Sequence, residues 1–275
     1  MVRIDAHQHY WKIARGDYDW MGPAVAPIIR DYLPADLQPH LKAAGIGKTV
    51  VVQAAATVAE TEFMLELAEQ EASIGGVVGW IDLDAPDALA VLKRLAGHQK
   101  FRGIRPMLQD IDDTFFILAE HRIAVLAALP SLGLAFDALV QPRHLPIVAA
   151  LADRLPELQI VVDHGAKPFI AKGITEPWAS DMAALAQRPN VFAKISGLLI
   201  EAGEDRSATA LKPYVETLLS AFGPERLMFG SDWPVLELAA SYDDWWRIAN
   251  ELTAGLNAAE RDAIFGGTAA RFYRL

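Results

Sequence analysis

The chain has 275 residues, 52% of them hydrophobic and 22% charged, a composition that builds an ordered core and excludes intrinsic disorder. Its 25 basic residues against 35 acidic ones leave a net charge of −10, which excludes a broad phosphate-binding surface and with it a nucleic-acid partner. There is no cysteine, so neither a disulfide framework nor a thiolate metal site is open to it.

The chain begins MVRIDAHQHYW. Arg3, Asp5, His7 and His9 stand where a secretory signal would need an apolar run, which points to a cytoplasmic protein. RIDAHQH is the first predicted strand. KTVVVQA follows near residue 50, IGGVVGWID near 78, FRGIRPML near 104 and LAFDALV near 137. QIVVDHG near 162, VFAKISGL near 194 and RLMFGSD near 229 complete the series. Between them VAETEFMLELAEQEA, PDALAVLKRLAG, RHLPIVAALADRL, EPWASDMAALAQ and ALKPYVETLLSAFG carry apolar residues at three- and four-residue spacing, the mark of one-faced helices. The longest apolar stretch, IAVLAALPSLGLAF, is broken by Pro130 and Gly133 and is too short to span a bilayer, so no membrane partner is expected.

Most of these strands are continuous apolar runs, as strands covered on both faces are. Their alternation with helices predicts a parallel sheet, and eight such units predict a (β/α)8 TIM barrel in the α/β class, one domain over residues 1–275. No glycine-rich dinucleotide loop follows the first strand, which counts against an open doubly wound sheet.

In a strand, residues i and i+2 share a side, so His7 and His9 converge on one spot. In a barrel, function gathers where strands end. The second strand ends in Gln53, the third in Trp80 and Asp82, and the fourth carries Arg102 and Arg105. Strand six ends in Asp163-His164-Gly165, strand seven carries Lys194 and Ser196, and strand eight ends in Ser231-Asp232-Trp233-Pro234. Burying such groups costs free energy unless they pair or coordinate, so their recurrence at strand ends points to one shared site. Lys194, inside an apolar run, and Arg105 are read as substrate contacts, and Arg102 as structural. Gln53 suits a hydroxyl. Trp11, Trp20, Trp80 and Trp233 cluster near strand ends and loops and suit the C–H faces of a sugar ring, against the plainer reading of core packing for each. His40, His98, His121 and His144 are read as surface or helix-end residues.

Five stretches, IDAHQHYW, VVDHGAKP, FAKISGL, LMFGSDWPV and IFGGTAARFYRL, resemble in this order the amidohydrolase superfamily. The closer likeness is to its lactonase branch, the hydrolases of L-fucono- and L-rhamnonolactone and of 2-pyrone-4,6-dicarboxylate. The resemblance runs from residue 4 to residue 275 and implies a (β/α)8 barrel whose site uses His7, His9, His164 and Asp232. Two departures stand out. Strand four offers arginines where binuclear members carry a bridging Lys or Glu, and strand five offers Asp137 but no histidine, so two metals are not expected. Thr268 stands where relatives commonly carry Asn, which concerns a structural contact only.

On this reading Asp232 takes a proton from water and the hydroxide attacks a lactone carbonyl. The three histidines either polarise that carbonyl themselves or hold, with Asp232, one divalent metal. Zinc is the first candidate, and the reaction does not strictly require it. The expected substrate is a neutral aldonolactone such as L-fucono-, L-rhamnono- or L-galactonolactone, because a dicarboxylate would call for more strand-end cations. The alternatives are a lactonase of the 2-pyrone-4,6-dicarboxylate type, a decarboxylase of the same superfamily, and a barrel that binds a sugar acid without turnover. The partner is thus a small-molecule lactone, with a homo-oligomer left open.

Overall fold

Eight strands form where the apolar runs lie: β1 Arg3–Gln8, β2 Ile46–Val52, β3 Ile74–Gly79, β4 Phe101–Ile104, β5 Ala135–Ala138, β6 Ile160–Val162, β7 Val191–Ile195 and β8 Leu227–Phe229. In the computed structural model, which describes residues 1–275, they are parallel and lie side by side in chain order. Helices α1 Pro34–Ala44, α2 Val58–Gln70, α3 Ala88–Leu95, α4 Glu120–Leu126, α5 Leu145–Arg154 and α6 Trp178–Leu185 return the chain between successive strands up to β7. A short α7, Leu198–Glu201, and α8, Ala208–Phe222, lead to β8, and α9 Tyr242–Leu252, α10 Ala258–Asp262 and α11 Thr268–Tyr273 finish the chain. The architecture is the expected (β/α)8 barrel. No helix is long and apolar enough to cross a membrane.

All five helical segments read from the sequence form. Six further helices, α1, α4, α7, α9, α10 and α11, were not singled out there. α1 contains Pro34 and Pro39, and α4 is only seven residues long. α9 turns Tyr242, Trp245 and Ile248 inward and is started by Ser241, whose hydroxyl accepts from the Asp244 amide.

A cluster of 70 buried residues fills the layer between strands and helices, and a smaller one of 11 lies inside the barrel. The inner cluster holds Ile4, Ala6, Val50, Val52 and Met228 and is closed from below by Phe272 and Tyr273 of α11. The chemistry lies above this apolar plug.

Two features of β1 place the site. Asp5 pairs with Thr49 and Gln8 with Val51, so three steps on β1 oppose two on β2. The extra residue is a β-bulge, which re-aims the side chains beyond it. Ile4 and Ala6 already face the interior, and the bulge brings His7 to the same side. The second feature is the closing seam. β1 and β8 meet through the segments just past the strands: the Asp232 amide donates to the His7 carbonyl at 2.8 Å and the His9 amide to the Trp233 carbonyl at 2.7 Å. Asp5 braces this seam by accepting from the Ser231 amide (2.8 Å), the His7 amide (3.2 Å) and the Tyr242 hydroxyl (3.0 Å).

Candidate active site

The seam brings three imidazoles around one carboxylate. Nε2 of His9, His7 and His164 lies 3.2, 3.7 and 3.8 Å from Oδ1 of Asp232. Each far ring nitrogen has its own partner. His9 Nδ1 is 2.7 Å from the Val52 carbonyl, and His164 Nδ1 is 2.9 Å from the Ser196 hydroxyl. His7 Nδ1 sits between Lys194 Nζ at 3.1 Å and Asp163 Oδ1 at 3.3 Å. Such outer partners fix ring orientation, as they do around metal-binding histidines.

A carbonyl can only accept, so His9 carries a proton on Nδ1. Its Nε2 lies 3.2 Å from Asp232 Oδ1, an approach that is favourable when a proton or a cation lies between the two atoms. The donor set therefore fits a divalent metal: ligand atoms of His7, His9 and Asp232, and of His7, Asp163 and His164, fall within 4.8 Å of one another in each group.

The local backbone is unusual at these positions. His164 has φ 54°, Ala166 62°, Lys167 54° and Asp232 60°, all left-handed in residues other than glycine. Each such residue costs roughly 1–3 kcal/mol, strain that a packed site sustains when it aims a functional side chain. Two glycines of the quoted motifs make room for the rings. A Cβ on Gly197 would lie 2.5 Å from His164 Nδ1, and one on Gly230 would lie 2.6 Å from His7 Cβ.

Below the rings lies a dry layer of paired charges. Lys194 Nζ is 2.6 Å from Asp137 Oδ2 and 2.9 Å from Asp163 Oδ1, and the Tyr273 hydroxyl donates to Asp137 at 2.6 Å. Arg105 Nη1 is 3.4 Å from both Asp163 Oδ2 and His7 Nε2, while Nη2 donates to the Gln53 carbonyl. Burial lowers the His7 pKa well below its ordinary value, with Lys194 adding to the effect, and pushes His164 down to about 4. Burial also opposes ionisation of Asp232, yet His164, His9 and His7 outweigh it and hold the carboxyl well below the usual range. Burial pushes Asp137 up to about 6, against the pull of Lys194.

A cavity of about 240 Å³ opens above this centre, with His9, His164, Asp232 and Arg105 at its base. Trp20, Met107, Gln109, Asp110 and Lys167 contribute to its wall. Larger grooves exist on the outside, such as one of about 570 Å³ lined by Lys212, Glu216 and Glu251, but none gathers histidines.

Of the substrate contacts read from the sequence, Arg105 lines the cavity and four others do not. Lys194 is fully buried one layer beneath the mouth, where Asp137 and Asp163 hold it. Gln53 is fully buried and donates to the Arg105 carbonyl at 2.7 Å, so it grips the arginine from both ends. Trp80 hydrogen-bonds through its backbone to the Thr61 hydroxyl and stays outside the cavity. Trp233 is buried against Tyr32 and Tyr10, its indole donating to Glu237 at 2.8 Å. Trp20, one of the four tryptophans read from the sequence, lines the cavity, and the polar and large residues missed there are Met107, Gln109, Asp110 and Lys167. Lys167 had a readable signal, three residues past His164 in VVDHGAKP. His144 stands just before α5, as its context suggested, and its ring accepts from the Gln141 amide across the 3-10 turn Pro142–His144 that leads into the helix. Thr268 is buried and its hydroxyl donates to the Pro224 carbonyl.

The amidohydrolase family profile matches residues 4–275, and the chain belongs to that family. It is 44% identical to an L-fucono-1,5-lactonase of Burkholderia ambifaria, over 99% of this chain and 96% of the relative. An L-fucono-1,5-lactonase of Burkholderia multivorans is 41% identical, over 100% of this chain and 96% of that one. A solved amidohydrolase structure from Burkholderia multivorans with bound zinc superposes with a TM-score of 0.94 at 41% identity, covering 100% of both chains.

Proposed function

We propose that this chain hydrolyses a neutral sugar-derived lactone, with L-fucono-1,5-lactone the first substrate to test. The observation that carries the reading is the convergence of three imidazole Nε2 atoms on Asp232 Oδ1 at the base of a cavity sized for one small ring. Full-length likeness to two L-fucono-1,5-lactonases supports the same substrate class.

Asp232, ionised at neutral pH, accepts a proton from a water in the cavity as the oxygen attacks the lactone carbonyl carbon. The carbonyl oxygen becomes an oxyanion, and Arg105 is the fixed positive charge at the cavity base to receive it. Collapse breaks the ring C–O bond, and the expelled alkoxide takes the proton from Asp232. The acid group formed ionises, which releases one proton per turnover. A neutral His9 cannot polarise the carbonyl directly, because its only N–H is spent on Val52. When bound by His7, His9, His164 and Asp232, a divalent ion such as zinc would act as a Lewis acid on the carbonyl and lower the pKa of a coordinated water.

A neutral ring also matches the wall. Asp110 would repel a second negative charge, while Gln109 and the Trp20 indole suit hydroxyls and C–H faces. The alternative decarboxylase reading gains nothing from β5, where Asp137 is committed to Lys194 and Tyr273.

The test is acid release from a panel of aldonolactones against 2-pyrone-4,6-dicarboxylate under one set of conditions. The neutral lactones should lead in kcat/KM. A tenfold preference for the dicarboxylate, about 1.4 kcal/mol in transition-state binding, would overturn the sugar assignment. Binding without acid release across the panel would overturn hydrolysis.

A further inference from the structure

Hydrolysis of a neutral lactone creates one full negative charge inside the cavity, the carboxylate of the opened chain. Two cations line that cavity, Arg105 and Lys167. Arg105 is already engaged with Asp163, His7 and the Gln53 carbonyl. Lys167 is half-buried, donates no side-chain hydrogen bond and has no carboxylate within 4.0 Å. Glu201 is near enough to feel its charge, yet burial holds the Glu201 carboxyl above its ordinary pKa even though Lys167 pulls it down. The lysine is also fixed relative to the reacting centre. Its amide donates to the His164 carbonyl at 2.9 Å, closing a turn in which residues 164 to 167 are all left-handed. A long cationic side chain anchored this way and left without a partner is poised for an anion that arrives only with the reaction.

We infer that Lys167 binds the carboxylate produced by ring opening, adding to Arg105 a second cation through which this site recognises aldonates, the open-chain sugar acids. The inference rests on the lactonase reading and deepens it. It makes the enzyme subject to inhibition by its own product and confines recognition to a single carboxylate, since Asp110 occupies the same wall.

Calorimetric titration of the wild type, Lys167→Met and Lys167→Arg with L-fuconate and with the neutral alditol L-fucitol tests it without turnover. Loss of one charge-assisted contact should weaken L-fuconate binding to Lys167→Met by about tenfold or more, while Lys167→Arg stays within about threefold of wild type. L-fucitol affinity should be the same in all three proteins within about twofold. Competitive inhibition of lactone turnover by L-fuconate should weaken in parallel. Unchanged L-fuconate affinity in Lys167→Met overturns the inference. An equal loss of both ligands also overturns it, because the lysine would then be a hydroxyl contact or a structural support. A wild type that binds L-fuconate but opens no lactone would count against the lactonase reading alone.

Discussion

Lys194 is wholly enclosed, with Asp137 at 2.6 Å and Asp163 at 2.9 Å from its ammonium. Its work is to neutralise two buried carboxylates and to hold His7 from below. Lys194→Met removes the charge but keeps the volume, and leaves those carboxylates uncompensated. The expected cost is roughly 3–5 kcal/mol in denaturant unfolding, the range for breaking a buried ion pair from one side. A cost below about 1 kcal/mol would show that the layer beneath the rings is not held by charge pairing. The same residue marks a boundary of what sequence can say. That a lysine in VFAKISGL meets an anion was readable from the expense of burying it. Which layer of the barrel it occupies was not, because the tilt and closure of the strands set depth, and no local pattern encodes them. His7, His9, His164 and Asp232 were readable because their strand-end positions and the likeness of their motifs to the amidohydrolase superfamily pointed to the same four residues.

At the level of elements, the turns beyond the strands decide the geometry. Gly197 follows β7 with φ 64° and leaves the space that the His164 ring fills. Gly197→Ala combines a left-handed alanine with a contact at 2.5 Å, so the ring must move. Turnover should fall by at least about tenfold, with a clear loss of thermal stability. Parental kcat in this variant would mean the ring position is not demanding.

The β2–α2 connection offers a pH test. Glu60 is buried and accepts from the Ala54 and Ala55 amides, and Ala54 in turn accepts from the Trp20 indole at the cavity wall. Burial pushes the Glu60 carboxyl up to about 8 from 4.5, although the amides favour the ionised form. The native state therefore holds a proton that the unfolded chain releases. The stability this contributes is fully present below pH 4.5 and is lost as pH rises through about 8. Urea unfolding across that window should show wild-type stability declining relative to Glu60→Gln; parallel profiles would refute the assignment. Of these element-level features, the strands and five of the helices were readable from apolar runs and periodicity. The β1 bulge was not, since one extra residue in a ladder leaves no composition signal, yet it brings His7 to the interior. Loop residues such as Gln109 and Asp110 were equally hidden, because backbone turns outside any repeat aim their side chains.

For the whole molecule, eight βα units and a polar residue at nearly every strand end were enough to anticipate the barrel and the position of its site. The closing of β1 on β8 is where the two meet, since backbone hydrogen bonds of His7, His9, Asp232 and Trp233 form the seam. This arrangement limits the metal content. Arg105 stands at the end of β4 and Asp137 is tied to Lys194 and Tyr273, while the donor group of His7, Asp163 and His164 shares His7 with that of His9 and Asp232 and has its Asp163 held by Lys194 and Arg105, so the two groups serve one ion. Elemental analysis of purified protein should find at most one divalent ion per chain, and zinc added to chelated protein should raise Tm with one-site saturation. Two tightly held ions would contradict the arrangement.

We propose that the carboxylate at the seam is the base that opens the lactone. Asp232→Asn keeps shape and hydrogen-bonding capacity while removing basicity, so its turnover on L-fucono-1,5-lactone measures that claim most directly. The expected result is a fall in kcat of ~10²–10⁴ with the cooperative unfolding transition retained. An Asn variant that opens the lactone at the wild-type rate would show that Asp232 is not the base.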